Sequence, residues 1–101
     1  MEIVRETISL QRLRAMAEER FGDLVKAVVD IEREVMAVDA GMHADEEAVL
    51  LEDGSEQAAL WGINLYPGEY GNPAQGNRTR SVDDPATRSR IAQIVGKLVA
   101  S

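Results

Sequence analysis

Residues 25–40 have the sequence VKAVVDIEREVMAVDA, which is rich in β-branched side chains. Valine and isoleucine favour the extended backbone of a strand, because their branched side chains pack well on a pleated surface. Two apolar runs lie on either side of Glu32 and Arg33, so the segment predicts a β-hairpin. The connection lacks the Asn-Gly or Asp-Gly pair of the tightest hairpins, and one continuous helix is the alternative.

The residues before this hairpin predict a short strand over 2–5 and then a helix. Ser9 is suited to the N-cap position, and Gly22 is suited to the C-terminal cap. Apolar residues recur between them at spacings of three and four, which places them on one face of a helix from Leu10 to Phe21. They are Leu10, Leu13, Ala17 and Phe21, followed by Leu24 beyond the cap.

The segment HADEEAVLLEDGS, residues 43–55, predicts a helix that Asp45 opens and Gly54 closes, with a strand as the alternative. In this helix, Glu46 and Glu47 lie favourably against the positive N-terminal end of the helix dipole. The next segment, LWGINLYPG, residues 60–68, predicts a strand by its alternation. Its two faces carry Trp61, Ile63 and Leu65 on one side and Gly62, Asn64 and Tyr66 on the other.

Residues 67–83 contain glycine, proline and few apolar side chains, so we expect a loop. A last helix then begins with Asp84 as N-cap and Pro85 at its first position, where no amide donor is needed. We expect its apolar face to pack on the sheet through Ile91, Ile94, Val95 and Leu98. The whole pattern predicts an α+β fold, residues 1–101 as a single domain, with two amphipathic helices packed on a small, mainly antiparallel sheet.

Composition limits the classes of function. There is no cysteine, so neither a disulfide framework nor a thiolate zinc site is possible. No apolar stretch reaches the length of a signal peptide or a membrane span, so we expect a cytoplasmic protein without membrane contact. The net charge is −7, and an acidic body repels DNA and RNA, so we expect no nucleic-acid partner.

The positive charge is concentrated near the C-terminal end. Residues 15–71 hold three basic side chains against fourteen acidic ones, whereas residues 72–90 hold four arginines against Asp83 and Asp84. Within this basic stretch, the loop at 75–80 offers arginine forks that bind phosphate or carboxylate and amides that add neutral donors. The predicted ligand-binding residues are Gln75, Asn77, Arg78 and Arg80. In the alternative, the two arginines pair with the acidic residues 45–47 of the same chain.

Four blocks of this chain resemble a family of short prokaryotic proteins that form a domain of unknown function. They are FGDLVKAVVDIE, HADEEAVLLEDGS, LWGINLYP and QGNRTRSVDDPATR, in that order. The resemblance implies a single-domain cytoplasmic protein and carries no established activity. It also implies a further strand between the Tyr-Pro and Gln-Gly-Asn blocks, where this sequence has only a short connection around Gly71 and Pro73. Without that strand, the sheet has an open edge that a second copy of the chain can pair with.

His43 is the only histidine, and with Asp45 it is a candidate for general acid–base catalysis. The alternative is a surface histidine at the start of a helix. One histidine without a second nitrogen or sulfur ligand makes a zinc site improbable, and we predict no metal and no cofactor. Tyr66 and Tyr70 are candidates to line a groove.

Three hypotheses of function follow from these residues. The first is a binding or interaction module that holds a small anion at the 75–80 loop. The second is a hydrolase that uses His43 and Asp45, with Arg78 and Arg80 as a substrate clamp. The third is a homo-oligomeric interaction protein. We rank binding and interaction above catalysis, since one histidine and no cysteine leave few catalytic options.

Overall fold

The computed structural model describes residues 1–69, 77–78 and 84–100. Three α-helices lie in this part of the chain: α1 (Leu10–Arg20), α2 (His43–Glu52) and α3 (Pro85–Leu98). The strands are β1 (Glu2–Val4), β2 (Ile8–Ser9), β3 (Val25–Asp30), β4 (Val35–Val38), β5 (Leu60–Leu65), β6 (Asn77–Arg78) and β7 (Val99–Ala100). Two short 3-10 helices, Gln57–Ala59 and Pro67–Glu69, flank β5.

The main sheet is antiparallel throughout and has the strand order β1-β4-β3-β5-β6. Strands β3 and β4 form the predicted hairpin, with Asp30 opposite Val35. The turn does not need an Asn-Gly pair, because the Asp30 carboxylate accepts the backbone N–H groups of Glu32 and Arg33, both at 2.9 Å. Glu34 then takes a left-handed conformation, with φ of 58°, before β4 begins.

Helices cover both faces of this sheet. The face that packs against α1 and α3 carries alternate residues of β3, namely Val25, Ala27 and Val29. The opposite face packs against α2 around the fully buried Leu50. The structure confirms the α+β class and a small antiparallel sheet with helices packed on it. It also shows that residues 43–52 are helical, so a third helix packs on the sheet.

The helix ends follow the predicted capping residues. The Ser9 hydroxyl accepts the N–H of Arg12 at 3.1 Å, and Gly22 follows α1 with a left-handed φ of 92°. The Asp84 carboxylate accepts the N–H of Thr87 at 3.3 Å, and Pro85 is the first residue of α3. The predicted apolar face of α3 is buried, as Ile91, Ile94, Val95 and Leu98 show.

Two expectations differ from the structure, and one feature was not predicted. Helix α2 begins at His43 rather than at Asp45, and the side chain of its N-cap residue, Met42, makes no capping bond. The expected loop at 67–83 begins with the 3-10 helix Pro67–Glu69. Within the same range, Asn77–Arg78 form a strand, because pairing with the edge of the sheet stabilises even two residues whose own sequence favours no strand. A second, parallel sheet joins β2 to β7. The predicted roles of Tyr70, Gln75 and Arg80, and the question of a missing strand around 71–73, lie outside the described residues.

The end of the sheet at the hairpin turn is tied down by a polar network. The buried Asp30 carboxylate accepts the Ser55 hydroxyl at 2.6 Å, and Ser55 accepts an N–H of Arg33 at 2.8 Å. Arg33 also forms an ion pair with Asp53, and the same Asp53 carboxylate forms a second ion pair with Arg5. The hydrogen bonds from Arg5 and Arg33 hold the pKa of the Asp53 carboxyl well below its usual range. The network joins the hairpin turn to the end of α2.

We predict that Ser55→Ala lowers the free energy of unfolding by about 1–3 kcal/mol, because it removes a partner from the buried Asp30 carboxylate. Urea denaturation at constant pH measures the change. Ser89→Ala is the matched control, since Ser89 is exposed on α3. Equal stability of the two variants would contradict a supporting role for the network.

Candidate functional site

The end of the sheet opposite the hairpin turn carries the candidate site residues that the structure describes, namely His43, Asp45, Tyr66, Asn77 and Arg78. Strand β3 begins here and strands β4 and β5 end here, since Val25 lies opposite Leu65 and Ala27 lies opposite Val38. Helix α2 starts five residues after β4 ends. We define the charged end of the molecule as residues 22–26, 38–46, 64–68 and 77–78, together with the neighbouring face of α1.

His43, at the first position of α2, contacts β5. Its Nε2 lies 2.7 Å from the carbonyl oxygen of Ile63. A carbonyl oxygen only accepts hydrogen bonds, so Nε2 carries a proton and donates it. Nδ1 is the ring nitrogen that this bond does not use. The ring packs over Gly62, where an added Cβ would lie 3.3 Å from Cδ2 of His43. The absence of a side chain at Gly62 therefore makes room for the imidazole.

Asp45 lies on the same first turn of α2 as His43, but it faces a different part of the surface. Its side chain is exposed and lines a shallow surface hollow with Met1, Arg20 and Asp39. No hydrogen bond joins the side chains of His43 and Asp45, both of which the structure describes. Positions two apart on a helix point about 200° away from each other, which explains the separation. The structure does not bring the predicted catalytic pair together, and a catalytic role for either residue stays a prediction.

Glu46 is the functional candidate whose burial the sequence did not reveal. Its side chain is completely buried between α2 and the sheet. One carboxyl oxygen accepts the backbone N–H of Ala40 at 3.1 Å, and the other, Oε1, has no hydrogen-bond partner. Burial raises the pKa of Glu46 to about 8, and the nearby Asp39 carboxylate adds to the rise, while the Ala40 N–H and Lys26 oppose it. Glu46 is therefore a neutral acid at pH 7.

One weak sequence signal for this burial exists. Glu46 precedes the buried Leu50 by four residues, so the two side chains share the inward face of α2. The same glutamate also fits an exposed first turn, where acidic side chains favour the positive end of the helix dipole. Sequence reasoning chose the second interpretation, and the structure shows the first.

A groove of about 280 Å³ lies between α1 and the turn after β5. Its α1 side is lined by Arg14, Ala17 and Glu18, and Asp23 follows at the end of the helix. Residues 66–68 form the opposite side, which agrees with the expectation that Tyr66 lines a groove. Within the described part of the chain, Arg14, Glu18 and Asp23 form no ion pair.

Two residues of the predicted anion-binding segment, Asn77 and Arg78, pair with the strand that leads into this groove. Strand β6 pairs with the end of β5, with Asn77 opposite Leu65 and Arg78 opposite Asn64. The backbone of Asn77 and Arg78 therefore lies beside the last two residues of β5, just before Tyr66. The side chains of Asn77 and Arg78 and all of Gln75 and Arg80 lie outside what the structure describes.

Two further polar groups belong to the charged end. The Lys26 ammonium lies 5.0 Å from the centre of the Phe21 ring, a cation–π contact between the start of β3 and the end of α1. The Asn64 side chain, opposite Lys26 in the sheet, has a buried Oδ1 without a hydrogen-bond partner. The described residues contain no group of three or more side chains that is arranged to hold a metal ion. None of the described helices has the length and apolar character needed to cross a bilayer.

Comparison with protein families gives one match. The family model described as protein of unknown function DUF5674 aligns with residues 2–98, nearly the whole chain. The protein belongs to this family, which confirms the resemblance seen in the sequence. Neither the curated proteins nor the solved structures contain a significant match.

We predict that Glu46 makes the stability of this protein fall as the pH rises from about 4.5 to about 8. The unfolded chain releases the Glu46 proton near its ordinary pKa, whereas the folded protein keeps it up to a pKa of about 8. Since the folded state binds more protons across this window, the free energy of unfolding decreases with pH there, by an amount on the order of a few kcal/mol. Urea denaturation at several pH values measures the slope.

The variant Glu46→Gln cannot ionise, so we expect its stability to depend less on pH within this window and to exceed that of the parent at pH 8.5. Glu52→Gln is the control, because Glu52 is an exposed carboxyl on the same helix. Parallel pH profiles for the parent and Glu46→Gln would contradict the assignment of a buried neutral acid.

Proposed function

We propose that this protein binds a small anionic ligand, bearing a carboxylate or phosphate, in the groove at its charged end. One observation supports the proposal: Asn77 and Arg78 pair with the end of β5, and Tyr66, the residue after β5, lines a groove of about 280 Å³. Two residues of the basic region and the groove therefore share one end of β5.

Arg14 is the groove residue that favours an anion. Its guanidinium is exposed, lines the groove, and has no acidic partner among the described residues. An arginine fork binds carboxylate or phosphate through two parallel hydrogen bonds. In the proposal, the loop residues Gln75, Asn77, Arg78 and Arg80 add further donors.

The groove limits the size of the ligand. Pockets for drug-sized molecules usually span about 300–1,000 Å³, and this groove lies just below that range. A metabolite with few heavy atoms fits such a space better than a nucleotide. The partly apolar lining from Ala17 and Pro67 suits a short carbon chain between polar groups.

Two alternatives rank below binding. A hydrolase that uses His43 and Asp45, with Arg78 and Arg80 as clamp, receives less support because His43 bonds to a backbone carbonyl and Asp45 lies in another hollow. An unchanged activity panel for His43→Ala beside the parent would remove that idea. Self-association through the sheet edges, β1 and β6, is tested by light scattering at high concentration.

We predict that phosphate or short carboxylates raise the melting temperature at matched ionic strength. A ligand at 100 times its dissociation constant adds about 2.7 kcal/mol, or about 10–20 °C for a chain of this size. Differential scanning fluorimetry with chloride as reference measures the shift. The absence of a shift with every compound that bears a carboxylate or phosphate would exclude the proposal.

The matched pair Arg14→Ala and Arg12→Ala locates the site. Both residues lie on α1 and lose the same charge, but Arg12 points to Glu2, at 2.7 Å, and does not line the groove. We expect Arg14→Ala to reduce the thermal shift strongly and Arg12→Ala to retain it. Equal shifts in both variants would place the anion elsewhere.

A further inference from the structure

The groove contains charges of both signs. Arg14 attracts an anion, but Glu18 and Asp23 line the same space and repel it. Within the described residues, none of the three is neutralised by an ion pair. A ligand that carries only negative charge provides no cationic group to pair with these two carboxylates.

The charges are arranged along α1 with a direction. Arg14 and Glu18 lie one helical turn apart, so they project from the same side with about 6 Å of rise between them. Asp23 lies further along, after Gly22 has turned the chain with a φ of 92°. The groove therefore has a basic side near Arg14 and an acidic side near Glu18 and Asp23. The buried Ala17 and the ring of Pro67 provide apolar surface against the groove.

Arg14 and Glu18 do not neutralise each other, although their spacing permits contact. An acidic residue placed before a basic one is the favourable order for such a pair on a helix, and here the basic residue comes first. An exposed pair of this kind gains less than about 1 kcal/mol, so both groups stay available to a ligand at little cost.

We propose that the groove binds a zwitterion of amino-acid size, with its carboxylate or phosphate at Arg14 and its protonated amine at Glu18 and Asp23. The proposal rests on the proposed function and specifies its ligand class. Ala17 and Pro67 pack against the carbon atoms between the two charged groups. The ligand's ammonium group pairs with the two carboxylates, whereas a simple anion has no group that can do so.

The experiment compares three classes of compound at matched ionic strength by thermal shift and calorimetry. Propionate and inorganic phosphate are the simple anions, ethylamine is the simple cation, and β-alanine, γ-aminobutyrate and phosphoethanolamine are the zwitterions. We expect at least one zwitterion to bind tenfold or more tightly than the anion and the amine that it combines.

Charge-removing variants assign the two ends. We expect Glu18→Gln and Asp23→Asn each to weaken zwitterion binding several-fold while leaving the simple anions unchanged or tighter. Glu19→Gln is the control, because Glu19 is exposed on the same helix and does not line the groove. We expect Arg14→Ala to weaken the binding of both simple anions and zwitterions.

Each outcome decides between the two proposals. Simple anions that bind as tightly as zwitterions, with no loss in Glu18→Gln or Asp23→Asn, overturn the zwitterion and leave the anion site standing. Binding of ethylamine without binding of any anion overturns both, as does the absence of a shift in all three classes.

Discussion

The antiparallel pairing of β3 with β5 is the constraint on which the rest of this structure depends. All six residues of β3 pair with β5, from Val25 opposite Leu65 to Asp30 opposite Leu60. Strand β3 is buried along nearly its whole length, because α1 and α3 cover one face and α2 covers the other. The register places Asp30 at one end of the sheet and the groove at the other.

The buried polar groups of this protein differ in how completely they are hydrogen-bonded. At the hairpin end, the buried Asp30 carboxylate receives two backbone N–H groups and the Ser55 hydroxyl, so its capacity for hydrogen bonds is used within the chain. At the charged end, Glu46 and Asn64 each keep a buried oxygen without a partner. The Trp61 Nε1–H, one residue from the hairpin end of β5, is also buried without a partner, so such groups occur at both ends. The fully bonded Asp30 carboxylate supports a structural role for the hairpin end.

The elements that the sequence predicted correctly are those that local chemistry specifies. Ser9, Asp84 and Pro85 mark helix ends because capping depends on a few neighbouring residues. The hairpin at 25–38 follows from its β-branched residues even though Asp30 replaces the usual turn signal. The strands Asn77–Arg78 and Val99–Ala100 were missed, because two-residue strands exist only through their pairing partners.

The candidate site was predictable only in part. The basic loop is visible as a local change in charge, but the position of Asn77 and Arg78 beside the end of β5 depends on the β5–β6 pairing, which no spacing reveals. Arg14, Glu18 and Asp23 looked like ordinary exposed charges, since only the tertiary fold sets them against residues 66–68. Glu46 fits the sequence pattern of a solvated first turn, and packing of α2 on the sheet buries it.

The most direct test of this account is an NMR titration of the ¹⁵N-labelled protein with phosphoethanolamine, which carries both a phosphate and an amine. Binding in the groove predicts that the backbone amide signals of Glu18, Gly22 and Gly68 shift together and saturate, while those of Gly54 and Ser55 at the opposite end stay in place. Saturable shifts centred on the hairpin end, or no shifts at all, would contradict a binding site at the charged end.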